Sequence, residues 1–155
     1  MTEILIFGVV AMAAMFSWRK IFGSKPMRTP DHKTRAELTE MKEYFQKVDD
    51  WLQEGQRFRG SHIKLETVAR ATHLTEKQVS QAVNTVSQQN FSSYINKLRI
   101  NEAKNLLLNP DYGHYTIEAF AEMVGFANKV SFYKAFKRVY GLSPTEWKKA
   151  QNHQS

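Results

Sequence analysis

One short helical pattern occurs twice in this chain, and that repetition restricts the fold more than any other feature of its 155 residues. In the first copy Leu65-Glu66-Thr67-Val68-Ala69 opens a helix whose small residue is Ala69, His73-Leu74-Thr75 forms a turn, and a second helix over 76–86 buries Val79 and Val83. In the second copy the small residue is Ala121, the turn is Gly125-Phe126-Ala127, and a helix over 128–140 buries Phe132 and Phe136. A small residue on the first helix lets the second cross it closely, which is the requirement of a helix-turn-helix. Ala69 to Val79 is ten positions and Ala121 to Phe132 is eleven, so the second turn holds one extra residue.

Punctuation supports helices throughout. Thr75 with Gln78 reads as a capping box, and Ser143-Pro144-Thr145-Glu146 places serine, proline and glutamate where a helix start favours them. Asn90 precedes a longer helix over 91–108 that buries Phe91, Tyr94, Ile95, Leu98, Ala103, Leu106 and Leu107, and Asn109-Pro110-Asp111 stops it. Thr116 and Asn128 open the helices of the second copy, and Gly125 closes the first of these in a left-handed conformation. No strand pattern of any length is present. The expected fold is all-α: two helix-turn-helix subdomains (63–87 and 116–140), a linking helix (91–108) and a C-terminal helix (143–151).

The polar outer face of the second helix in such a unit enters the DNA major groove. Joined by a linking helix, two such units reach successive grooves on one face when their reading helices lie about 34 Å apart. Charge agrees with a polyanionic partner: 22 basic against 15 acidic residues give a formal +7. From 126 to 149 there are six basic residues and one acidic, so the second unit is expected to supply more of the phosphate attraction.

Gly125-Phe126, Asn128, Phe132, Phe136-Lys137, Gly141-Leu142-Ser143-Pro144 and Trp147-Lys148 resemble the C-terminal signature of AraC-type transcription regulators. The 90–99 run and Ala103 to Leu107 are similar to that family's linking helix, and the stretch from Met41 through Asn84 together with Asn90-Phe91 looks closest to a branch whose DNA-binding domain follows several membrane helices. His73 stands where the family usually has glycine. The resemblance covers about 41–150 and implies base contacts from both reading helices. Carried onto this chain, these are Lys77, Ser80, Gln81 and Asn84 from the first, and Asn128, Lys129, Ser131, Tyr133, Lys134 and Lys137 from the second. Lysine donates to guanine O6 and N7, and glutamine pairs with adenine. Activation through RNA polymerase is also what the resemblance implies. Arg99 reads as a structural hydrogen-bonding residue, and Phe120, Phe126, Phe132, Phe136, Leu142 and Trp147 as core.

Ahead of this domain, residues 4–18 are uncharged and almost wholly apolar, followed by Arg19, Lys20, Lys25 and Arg28. Counting 3–22 reaches the roughly 20 residues that a spanning helix needs, provided Arg19 and Lys20 snorkel to the headgroups. The charge order places the N-terminus outside and the remainder in the cytoplasm. The expectation is therefore a transmembrane anchor over 1–22 in contact with lipid through 4–22, a basic linker over 23–34 containing Pro26 and Pro30, and an AraC-type domain over 35–150. That makes a single-pass protein of the bacterial inner membrane; the alternative is a cytoplasmic protein, or a piece of a longer membrane protein. Leu38, Met41, Phe45, Val48 and Leu52 form two heptads, which serve either as a homodimer seam in the 35–54 helix or as a face packed on the next domain.

Other classes find little support. The chain has no cysteine, its five histidines fall in no metal-ligand spacing, and there is no phosphate loop or nucleophile elbow. The reading is a sequence-specific, membrane-tethered transcription regulator, an activator, and not an enzyme, with double-stranded DNA as partner. No cofactor, metal or small-molecule ligand is expected. The alternative function is a membrane-anchored adaptor using the helical domain for protein contacts.

Overall fold

The computed structural model describes residues 32–61 and 63–152. Among these the chain forms seven α-helices and two 3-10 segments and no strand: α1 (His32–Gln53), η1 (Glu54–Arg59), α2 (Leu65–Thr72), α3 (Glu76–Ser87), α4 (Phe91–Leu108), η2 (Pro110–Tyr112), α5 (Ile117–Met123), α6 (Lys129–Tyr140) and α7 (Pro144–Asn152). No helix among the described residues is long and apolar enough to cross a membrane. Segment 4–22, for which the anchor was expected, lies outside them.

The helix starts follow from local chemistry. Thr75 Oγ1 accepts from the Gln78 N–H at 3.2 Å while the Thr75 N–H donates to Gln78 Oε1 at 2.9 Å, completing the capping box of α3. Asn90, Thr116 and Asn128 accept from the N–H three residues on, at 2.8, 3.2 and 2.9 Å. At α7 the Ser143 N–H donates to Glu146 at 2.9 Å and the Glu146 N–H donates to Ser143 Oγ at 3.3 Å. Each such cap satisfies a donor that has no partner within the helix and is worth about 1 kcal/mol.

Two cores share one helix. Val48, Leu52, Phe58, Val68, Ala69, Val79, Val83, Tyr94 and Ile95 form the first. Ile100, Ala103, Leu107, Phe120, Ala121, Val124, Phe126, Phe132, Phe136 and Trp147 form the second. The N-terminal half of α4 faces the first core and its C-terminal half the second. At 100° per residue these two faces differ by a little under half a turn, so α4 carries no single apolar stripe. Aromatic rings dominate the second core: Phe136 packs against Phe132, Tyr140 and Trp147 with centroids 5.7, 5.0 and 5.9 Å apart.

α1 settles the heptad question at its C-terminal end. Val48 and Leu52 are fully buried against α2, α3 and α4, and the Phe45 ring meets Tyr94 edge-on at 5.3 Å. The Tyr94 hydroxyl donates to Asp49, and burial together with that carboxylate raises its pKa. The seam is thus spent within the chain over 45–52. At the N-terminal end Leu38 is 43% exposed and Met41 lines a groove beside α3.

The units are joined by more than α4. Buried Arg99 donates through Nε to the Phe58 carbonyl at 2.7 Å and through Nη2 to the Gly60 carbonyl, and its guanidinium lies 5.7 Å from the Phe126 ring centroid. Arg59 pairs with Glu102 of α4. The Arg59 carbonyl sits so close to Gly125, in the second turn, that a Cβ there would collide with it. The end of η1 is therefore a wedge held between the two helix-turn-helix units.

Candidate nucleic-acid interface

Both turns close by the same backbone bonds. In the first, His73 takes a left-handed conformation (φ 56°), the Leu74 N–H donates to the Ala69 carbonyl at 2.9 Å, and the His73 N–H reaches Arg70 at 3.4 Å. In the second, Gly125 has φ 90°, the Phe126 N–H donates to Ala121 at 2.9 Å, and the Gly125 N–H donates to Glu122 at 2.9 Å. These paired bonds satisfy the last carbonyls of α2 and α5 and turn the chain sharply. Ala69 and Ala121 are buried at the crossing. The extra residue of the second turn is Ala127, between Phe126 and the capping Asn128, where in the first turn Leu74 runs directly into capping Thr75. Histidine in place of the usual glycine leaves the turn's geometry intact.

Each reading helix buries one face. In α3 this is Val79, Ala82 and Val83, which leaves Lys77, Gln81 and Asn84 exposed and Ser80 half-buried. One flank of α3 is not open. Gln81 and Thr85 line a groove with Glu37, Glu40 and Met41 of α1. Tyr44 donates to Glu40, which raises its pKa, and it also interacts with Gln78. The acidic N-terminal part of α1 thus runs beside the outer face of α3.

In α6 the buried residues are Phe132 and Phe136. Ser131, Lys134 and Lys137 are exposed, and Val130 is 61% exposed, an unusual position for a large aliphatic residue. Three of the expected contact residues have partners within the chain. Asn128 caps α6. Lys129 pairs with Glu118 of α5; that hydrogen bond raises the lysine pKa and lowers the carboxyl's, and the ammonium also lies 5.3 Å from the Tyr133 ring centroid. Tyr133, half-buried, has its hydroxyl 3.3 Å from Thr145 Oγ1. Helical geometry groups Val130, Ser131, Lys134 and Arg138 on the side opposite the core, with Lys129, Tyr133 and Lys137 on the flank toward α5 and α7. Val130 and Arg138 were not singled out from the sequence; applying the 3.6-residue period outward from Phe132 and Phe136 would have found both.

The outward faces carry amide, hydroxyl and cationic donors with no carboxylate on α6, which suits hydrogen bonding to phosphates and base edges. Among the described residues no cluster of histidine and carboxylate side chains could hold a metal ion.

Comparison with known proteins places this geometry. The helix-turn-helix domain family matches residues 68–150. YisR, an uncharacterised HTH-type transcriptional regulator of Bacillus subtilis, is 31% identical over 100 residues, which cover 62% of this chain and 34% of YisR. The chain spans about a third of the length of the curated relatives it matches. The C-terminal domain of AraT, a response regulator from Geobacillus stearothermophilus, superposes with a TM-score of 0.60 at 25% identity, covering 69% of this chain and 84% of that domain. The DNA-binding domain of AdpA, solved with a target DNA, shares the fold with a TM-score of 0.61 at 20% identity over 71% of this chain and 94% of that one.

Proposed function

The chain belongs to the helix-turn-helix family, of AraC type, and on that premise we propose that it is a sequence-specific transcription regulator that reads two adjacent half-sites on one face of DNA. The observation that carries this reading is the pair of identically closed turns, each presenting an outward polar helix, with one linking helix running through both cores. On α3 the proposed contacts are Lys77, Ser80, Gln81 and Asn84. On α6, Ser131 and Lys134 lie on the outward side, and Val130 beside them adds an apolar surface suited to a thymine methyl. Lys137 serves the phosphates. Lys129, Tyr133 and Asn128 contribute from the flank and the cap, Lys129 after exchanging Glu118 for a phosphate.

Selection of bound sequences from random duplexes tests the reading. A recurring pair of short motifs about ten base pairs apart, centre to centre, is the expected product. Recovery of no enriched sequence, with elution from heparin near the void, would overturn it in favour of a protein-binding adaptor.

At the level of the whole protein, activation by contact with RNA polymerase is the role proposed, read as promoter output with and without the chain. The apolar stretch over 4–18 and the basic residues behind it support a single-pass membrane tether that leaves the DNA-binding domain on the side of the DNA. Fractionation of the tagged chain tests the tether: residence in the membrane fraction is expected, and complete recovery in the soluble fraction would refute it.

A further inference from the structure

Between the N-terminal half of α4 and the C-terminal half of α6 lies a cleft of about 310 Å³. Gln89, Ser93, Asn96 and Lys97 form one wall, and Arg138 with Val139 the other. Lys97 and Arg138 are both exposed, and among the described residues neither has an ion-pair or hydrogen-bond partner. No carboxylate lines the space. Two unpaired cations therefore face one cleft whose remaining polar groups, two amides and a hydroxyl, can all donate hydrogen bonds.

Its place in the fold identifies what it would meet. Gln89 and Ser93 lie just beyond the C-terminal end of α3, and Arg138 belongs to the last turn of α6, so the cleft lies between the start of the linking helix and the end of the second reading helix. With those helices seated in successive major grooves, the DNA stretch between them turns its minor groove and sugar-phosphate strands toward the linking helix. Groups at this point meet phosphates rather than major-groove base edges. A guanidinium grips a phosphate through a planar fork, and an ammonium supplies a compact charge beside it.

We propose that the Lys97–Arg138 cleft is a phosphate clamp for the DNA backbone between the two half-sites, gripping a phosphodiester from both the linking helix and the second reading helix. The clamp rests on the two-half-site reading above and deepens it. It fixes the register of one unit relative to the other by a contact that carries no sequence information.

The test uses the full chain with Lys97→Gln, Arg138→Gln and the double variant, titrated against a selected duplex and a scrambled duplex over a range of salt. Each single variant is expected to bind both duplexes about tenfold more weakly, the loss of one charge-assisted hydrogen-bonded contact. The slope of log affinity against log salt should fall by about 0.9, the value for one phosphate. Because one phosphate is shared, the double variant should lose little more than either single one. Both side chains are exposed and unpartnered, so melting temperatures should not move, which separates the effect from misfolding. Additive losses, or unchanged affinity and slope in variants that still bind DNA, would overturn the clamp and leave the two-half-site reading standing. Failure of the unaltered chain to bind any duplex would overturn both. A third arm adds inorganic phosphate at constant ionic strength: no displacement of the unaltered chain is expected, and displacement that the double variant resists would assign the cleft to a free anion instead.

Discussion

The two helix-turn-helix units reach one backbone geometry with different residues. The Leu74–Ala69 and Phe126–Ala121 bonds are both 2.9 Å, yet a histidine occupies the left-handed position in the first turn and a glycine in the second. The surroundings explain the difference. His73 is exposed and its side chain opens onto a broad groove shared with Trp51 and Thr72. Gly125 is pressed against the Arg59 carbonyl, which leaves no room for a Cβ. A left-handed turn residue is thus replaceable at modest cost where nothing approaches it, and fixed where another segment does. The charge pattern divides the same way: α6 bears three lysines and an arginine, with Glu118 holding Lys129 and Glu146 of α7 near Lys137, while α3 has Lys77 alone and runs beside Glu37 and Glu40.

Gly125→Ala is the strongest attempt to break this contrast. It combines a strained φ with overpacking, so a loss of about 3 kcal/mol or more is expected from urea unfolding. Survival with near-unchanged stability would show that the Arg59 wedge gives way. Arg99→Met removes the donors to the Phe58 and Gly60 carbonyls from the other side of that wedge; leaving those acceptors unpaired should cost about 2–3 kcal/mol, read in the same assay.

The acidic flank of α3 predicts a smaller effect of opposite sign. Glu37→Gln with Glu40→Gln should tighten DNA binding about threefold at low salt, the size of an exposed charge interaction, and the gain should vanish at high salt. No change would mean that this part of α1 swings clear of the DNA. Smallest is His73→Gly. It relieves roughly 1–2 kcal/mol of left-handed strain but frees the unfolded chain by up to about 1 kcal/mol, so a net gain near 0.5 kcal/mol is expected in urea unfolding. A destabilised variant would show that the imidazole makes a contact worth more than its strain.

The parts of this molecule that depend on near neighbours were legible in the sequence. Thr75, Asn90, Thr116, Asn128 and Ser143 stand at helix starts because a short polar side chain satisfies a donor three residues away. The one-residue offset between the units was visible as the spacing from small residue to core residue. Arg99 read as structural, and it is buried between carbonyls. What spans many residues was not legible: Arg59 against Gly125, Glu118 holding Lys129, and the acidic turns of α1 beside Gln81. Periodicity says which side chains share a face, but not which neighbour borders it. For the same reason Val130 and Arg138, which share the outward side of α6 with Ser131 and Lys134, were not singled out from the sequence. The apolar N-terminal run and the basic linker behind it, as far as residue 31, lie outside the described residues.

The central claim is that two unequal units read one DNA, the second supplying most of the electrostatic grip. The direct measurement is the salt dependence of duplex binding by the full chain carrying Lys77→Gln on α3 or Lys134→Gln with Lys137→Gln on α6. The slope of the unaltered chain should fall by about 0.9 for each phosphate contact removed, so the α6 variant should lose close to twice what the α3 variant loses. Equal losses, or a larger loss on α3, would contradict the account.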